Sequence, residues 1–229
     1  MLYVVGTPIG NLDDMSIRQA KTVLSCRYLL SEDTRSTGFL IGKMKEYFNL
    51  QPQQHTLISY YKEKEFEKLP EILDLLREGH DVALLSEAGM PVISDPGSLL
   101  ISYAVKENIP FTVIPGPTAV TTAYIYAGFG TAQFHFSGFL PKKSSEVKKA
   151  FEKMRQMNQI EKDTVYVFYE SPERIHTSLL VLNETVPEVQ VCICRELTKK
   201  FEEVVRGTPL ELSKREYKGE ITIVLHFPA

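Results

Sequence analysis

The sequence is short of several things, and each shortage removes a class of protein. Its 229 residues hold three cysteines, Cys26, Cys192 and Cys194, an odd set without secretory context, so reduced thiols are expected and a disulfide framework is not. Cys192 and Cys194 sit two apart on one strand face, with no second Cys/His pair nearby to complete a metal site. The five histidines, His55, His80, His135, His176 and His226, lack metal-ligand spacing. Excess positive charge is also missing. A net charge of -3 argues against coating nucleic acid through bulk charge and leaves local basic patches as the only route to such a partner. No uncharged apolar run approaches the roughly 20 residues of a membrane span, and the opening MLYVVGTPIGN lacks the basic flank and cleavage region of a signal peptide. A cytoplasmic protein with no membrane contact and no metal is expected. Gly-x-Gly-x-x-Gly, a Walker lysine and a Gly-x-Ser-x-Gly elbow are all absent, which argues against dinucleotide-dependent oxidoreduction, P-loop and α/β-hydrolase chemistry.

What is present is an α/β rhythm. Short apolar runs at Leu2 to Val5, Tyr28 to Leu30, Val82 to Leu85 and Phe111 to Ile114, with a weaker one at Leu57 to Ser59, are the length of strands buried on both faces, the mark of a parallel sheet. Between them Leu69, Ile72, Leu73 and Leu76 recur at helical spacing, and Gly79 stands where a C-cap belongs. After Gly128 the composition turns to glycine and aromatics in GFGTAQFHFSGFLPKK, and a basic, serine-containing turn follows. The predicted domain break is therefore 1–128 and 129–229. The second half is predicted to hold a helix striped by Val147, Ala150, Phe151, Met154 and Met157, the strand TVYVFY, and a helix entered at Ser171-Pro172. The strands VQVCIC and ITIVLHF complete it, with a turn at Lys218-Gly219.

Chemistry is concentrated where strands end. VGTPIGN, SEAGMPVISDPG and IPGPTA each leave a strand through a turn rich in glycine and proline, and in a parallel sheet all three open on the same edge. Any one alone is equally a tight structural turn. Asp95, before Pro96, either caps the next helix or faces a ligand. In SEDTRSTG the same choice holds for Asp33, which caps a helix or joins Glu32 and Arg35 in handling substrate. Arg174, Arg195, Lys199, Lys200 and Arg206 follow apolar strands; each is a surface charge or salt-bridge partner, or together they supply the positive charge that RNA needs.

In order along the chain, LYVVGTPIGNLDDMS, SEDTR, SEAGMPVISDPG, IPGPTA, FSGFLP, FYESPERI and RELTKKFEEVVRG resemble the tetrapyrrole methylase superfamily, in the branch that methylates a ribose 2′-hydroxyl of bacterial small-subunit ribosomal RNA. The likeness runs from Leu2 to about Val224. It implies two α/β domains, a mainly parallel N-terminal sheet and a mixed C-terminal one, with S-adenosylmethionine in a cleft between them, and a homodimer acting on small-subunit RNA or the assembled subunit. Carried over by motif, Pro8, Ile9, Ala88, Met90, Ile93, Thr118, Ala119 and Tyr169 would touch the cofactor. A carboxylate at Glu32 or Asp33, with Glu170 in reserve, would accept the hydroxyl proton. Arg35, Arg174, Arg195, Lys199 and Arg206 would meet RNA. Where the family reads Ser-Asp-Ala-Gly-Thr-Pro, this chain has Glu87 and Met90, and where it carries a His and an Asn this chain has SYYKEKE.

Overall fold

The computed structural model describes residues 1–130 and 133–227. The chain parts into two compact units, Met1–Thr118 and Ala119–Ala229.

In the first unit, strands β1 (Leu2–Val5), β2 (Tyr28–Ser31), β3 (Thr56–Ser59), β4 (Val82–Leu85) and β5 (Phe111–Ile114) form one sheet in the order β3-β2-β4-β1-β5. Every pairing in it is parallel. Side chains alternate across such strands, so each contributes to two cores. On one face Leu2, Val4, Leu30, Val82 and Leu84 pack against Ile72, Leu73 and Leu76 of α3 (Glu65–Arg77) and Leu100 and Ala104 of α4 (Ser98–Lys106). On the other, Val5, Leu29, Ala83 and Leu85 pack against Ala20, Val23 and Leu24 of α1 (Ile17–Ser25) and Met44 of α2 (Thr34–Phe48). The helices after β1 and β2 thus cover one face and the helix after β4 the other. The chain leaves β4 in the opposite sense to both its neighbours, which opens the crevice that open α/β sheets use for ligands.

The second unit begins earlier than composition alone places it. The helix α5 (Ala119–Ala127) packs on the second sheet, so the break falls after Thr118 and not after Gly128. That sheet contains β6 (Gln133–Phe139), β7 (Thr164–Glu170), β8 (Gln190–Arg195), β9 (Glu203–Gly207) and β10 (Ile221–His226), in the order β6-β7-β10-β8-β9. Only β6 and β7 run parallel; the other pairings are antiparallel. The opposite face carries α6 (Ser144–Ile160), α7 (Ile175–Thr185) and the single turn α8 (Pro209–Leu212), around Phe151, Phe168, Leu179 and Ile223. A turn from Ser171 precedes α7, whose first regular residue is Ile175. Both edge strands, β6 and β9, escape the apolar-run reading of the sequence, because edges are only partly buried.

Candidate active site

The C-terminal ends of β1, β4 and β5 are tied into one structure. Thr7, two residues beyond β1, forms an isolated antiparallel bridge with Gly89: the Thr7 amide donates to the Gly89 carbonyl at 2.8 Å, and the Thr7 carbonyl accepts from the Gly89 amide at 3.2 Å. The buried Thr7 hydroxyl reaches the Ser86 carbonyl at 3.2 Å. From the other side the Gly6 amide donates to the Ile114 carbonyl at 3.0 Å, and the Gly116 amide points at the Met90 sulfur at 3.3 Å. No side chain fits where these loops cross. A Cβ on Gly6 would lie 2.8 Å from the Gly116 backbone and 2.7 Å from Met90 Sδ. The Ile9 side chain lies against Gly89, where a Cβ would meet it at 3.2 Å.

Gln19, whose role the sequence reading misses, holds this crossing from below. Its side-chain amide donates to the Gly6 carbonyl at 2.8 Å while its carbonyl completes a capping box with Ser16. The Ser-x-x-Gln pattern that marks such a box is legible at 16–19, although its second duty is tertiary. The second loop is also strained. Besides Gly89 and Gly97, Val92 and Ser94 take left-handed φ values of 76° and 68°; a β-branched residue there is a rare and costly conformation, of order 1–3 kcal/mol, typical of loops shaped for a ligand.

Of the residues expected to touch the cofactor, Pro8, Ile9, Ala88, Met90, Ile93 and Thr118 all lie on these loops of the first unit. Pro8 and Ile9 are buried, Ala88 and Ile93 exposed. The other two belong to the second unit: Ala119 opens α5, and Tyr169 in β7 packs edge-on to Phe136 at 5.1 Å.

The three candidate bases separate clearly. Asp33 is the N-cap of α2, its carboxylate accepting the Arg35 amide at 2.7 Å and the Ser36 hydroxyl at 3.1 Å, which lowers its pKa. Glu170 has a fully buried carboxylate that pairs with Arg174 at 2.6 Å and accepts the Ser178 hydroxyl at 2.7 Å and the Ser171 amide at 2.9 Å. It anchors the turn into α7 and has no oxygen to offer a substrate. Glu32 differs from both. It stands at the end of β2, partly buried and without a hydrogen bond or ion pair among the described residues. Its pKa is raised by burial first and then by the charges of Asp95, Glu87, Glu63 and Glu65. Asp95 does not cap α4, which starts from Gly97 with the Glu65 carboxylate on the Gly97 amide at 2.6 Å. Burial pushes Asp95 up to about 6, against an opposing hydrogen bond with Ser86.

The residues expected to meet RNA fare unevenly. Arg35 is exposed in the first turn of α2. Arg195 pairs with Glu203 at 2.9 Å, and Lys199 with Glu220 at 3.0 Å and Glu196 at 3.3 Å. Arg206 spends its guanidinium on the carbonyls of Tyr126 and Ala127, the end of α5. With Arg174 held by Glu170, these four serve as internal ties of the second unit.

The three loops carry carboxylates and main chain and no lysine or arginine. Such a rim repels polyphosphates and attracts a ligand bearing positive charge. Among the described residues no group of three His, Cys, Asp or Glu is placed to hold a metal ion, and no helix is long and apolar enough to cross a membrane.

Comparison with known proteins agrees with this architecture. Residues 1–212 match the Tetrapyrrole (Corrin/Porphyrin) Methylases, and the chain belongs to that family. Among its curated relatives, the Ribosomal RNA small subunit methyltransferase I of Hydrogenobaculum sp. is 44% identical, the match covering 98% of this chain and 94% of that protein. The protein of the same name from Thermotoga maritima is 39% identical over 98% of this chain and 97% of its own length. Solved structures share the fold at much lower identity. The methyltransferase CobJ matches with a TM-score of 0.68 at 16% identity, covering 99% of both chains. Uroporphyrin-III C-methyl transferase from Thermus thermophilus, complexed with S-adenyl homocysteine, matches at 0.63 and 15%, covering 98% of this chain and 96% of that one.

Proposed function

We propose that this protein is an S-adenosylmethionine-dependent methyltransferase that 2′-O-methylates a cytidine ribose in the decoding centre of small-subunit ribosomal RNA. The relatives' names support the RNA class, and the donor set of the first unit supports the cofactor. S-adenosylmethionine is a sulfonium with an α-ammonium group, and three loops that carry Glu87 and Asp95 and no basic side chain suit that charge. Such a cofactor supplies, when bound, a methyl carbon open to attack by oxygen.

The chain's own residues then have defined tasks. Pro8, Ile9, Ala88, Met90, Ile93 and Thr118 hold the cofactor through main-chain and apolar side-chain contacts. Their value is positional, because methyl transfer gains most from holding reactants in line at contact distance. Glu32 accepts the 2′-hydroxyl proton and ends as the protonated carboxyl, while the bound cofactor would supply the methyl group and would leave as S-adenosylhomocysteine. The single observation that carries this assignment is that Glu32, alone of the three candidate carboxylates, has an uncommitted side chain at the loop edge. The protein is expected to act in the cytoplasm as a homodimer, which light scattering of the purified chain tests.

Labelled S-adenosylmethionine incubated with small subunits lacking the modification tests the reaction. Label retained in alkali-resistant dinucleotides is the expected outcome, since a 2′-O-methyl blocks backbone cleavage at its own nucleotide. Label appearing only on a tetrapyrrole offered in parallel would favour a small-molecule methylase, and cofactor binding without transfer would favour a binding protein.

A further inference from the structure

The strongest unbalanced positive charge in the second unit lies where the sequence shows only a turn and a helix. Between Lys142 and Lys153 the chain carries Lys142, Lys143, Lys148, Lys149 and Lys153 against Glu146 and Glu152, in a protein of net charge -3. All five lysines are exposed. Glu146 and Glu152 stand three and four residues from Lys149 and Lys148, near enough to pair on a helix, yet none of the five lysine ammonium groups is ion-paired or hydrogen-bonded among the described residues. The ties that occupy Arg174, Arg195, Lys199 and Arg206 leave them nothing to add.

We infer that Lys142 to Lys153 is the surface on which the second unit receives the phosphate backbone of its RNA; this rests on the ribosomal-RNA reading above. Three features argue for a phosphate chain. First, α6 begins with Lys143 as N-cap and no side-chain cap, so the partial positive charge of a 17-residue helix adds to that of the lysines. Second, at about 1.5 Å per residue the lysines extend over roughly 15 Å, a length that suits successive phosphates better than one small anion. Third, the base of the turn is fixed. Arg174 Nη1 donates to the Leu140 carbonyl at 3.1 Å and the Pro141 carbonyl at 3.4 Å, while its Nη2 pairs with the buried Glu170. Arg174 is thus a positioning residue, and the two residues before Lys142 are clamped to the core. A membrane surface fits poorly, because the apolar stripe of α6, Val147, Phe151 and Met154, is already buried in the unit's own core and has nothing to insert into lipid.

The test is the full chain with Lys142, Lys143, Lys148 and Lys149 all changed to Gln, beside a control with exposed Lys21, Lys45, Lys62 and Lys106 changed to Gln. Binding to small-subunit ribosomal RNA is followed by anisotropy across a salt series, with methylation kinetics and cofactor affinity in parallel. The α6 variant is expected to flatten the slope of log affinity against log salt by about 3. Its KM for RNA should rise at least tenfold, with kcat at saturating RNA and cofactor affinity unchanged and the control like wild type. An active wild type with an α6 variant of unchanged slope and KM overturns the surface alone, as does a control equally impaired. A wild type that neither binds nor methylates RNA overturns the functional reading and the surface with it. Lysine-dependent binding to phosphatidylserine vesicles, with RNA affinity untouched, would reassign the surface to membrane.

Discussion

Thr7 and Gly89 exchange both backbone hydrogen bonds, at 2.8 and 3.2 Å, across the ends of two neighbouring parallel strands. That exchange makes two loops one object, and the Gly6–Gly116 crossing adds the third. Since the crossing excludes any side chain, Gly6→Ala must force the backbone of the first loop away from the third. A loss of at least tenfold in cofactor affinity by calorimetry is expected, with the second unit's packing intact by circular dichroism. Wild-type affinity in this variant would mean that the crossing does not shape the cofactor site.

Glu32 and Asp33 are adjacent but are expected to fail differently. Glu32→Gln should lower kcat by about 10²–10⁴-fold and leave cofactor affinity alone. Asp33→Asn should weaken the α2 cap, lowering the melting temperature slightly while kcat stays near wild type. A base must be ionised, and the Glu32 pKa is raised, so the acid limb of kcat should lie above the ordinary carboxylate range. Asp95→Asn removes a neighbouring negative charge and should move that limb to lower pH; a limb that stays fixed would exclude Glu32 as its source.

Asp95 also makes a stability statement. Its pKa of about 6 in the fold exceeds the roughly 3.9 of an unfolded chain, so its contribution is fully present below about pH 4 and is lost as pH rises through 6. Asp95→Asn is therefore expected to stabilise the protein at pH 7.5, by about 1 kcal/mol once solvent screening of this half-buried group is allowed for. The advantage should vanish at pH 4. Denaturant melts at the two pH values check the sign.

The Glu170–Arg174 pair should behave as structure. Glu170→Gln leaves a guanidinium without its buried counter-charge, a change of the kind that costs about 3–5 kcal/mol. Chemical denaturation should show the loss. In the protein that remains folded, kcat at saturating RNA should be near wild type, because this carboxylate has no part in proton transfer.

Arg206→Ala gives a similar contrast. Its guanidinium meets the last carbonyls of α5, so the substitution should destabilise by about 1 kcal/mol and leave the salt dependence of RNA binding unchanged. A flattened salt slope would return Arg206 to the RNA surface.

The central strands and the three loops were legible because buried parallel strands leave unbroken apolar runs and their exits need glycine and proline. The edge strands of the second sheet were not. In β9, Glu203–Gly207, charges flank two valines, and partial burial at an edge leaves no run to read. The small, apolar α5 looked like a continuation of the first half because its partner, the second sheet, is formed by residues that follow it. Basic residues were the hardest to assign. Arg206 and the Tyr126 carbonyl are 80 positions apart, and no local pattern tells an arginine that ties the fold from one that awaits a phosphate. The Lys142–Lys153 segment carried its signal openly, but its meaning depended on knowing that Arg174, Arg195, Lys199 and Arg206 were occupied.

The most direct test is to map 2′-O-methyl groups across the small-subunit ribosomal RNA of cells with and without this gene. One decoding-centre cytidine methylated in the first and bare in the second, restored by wild type and not by Glu32→Gln, is the expected result. Identical maps would contradict the account.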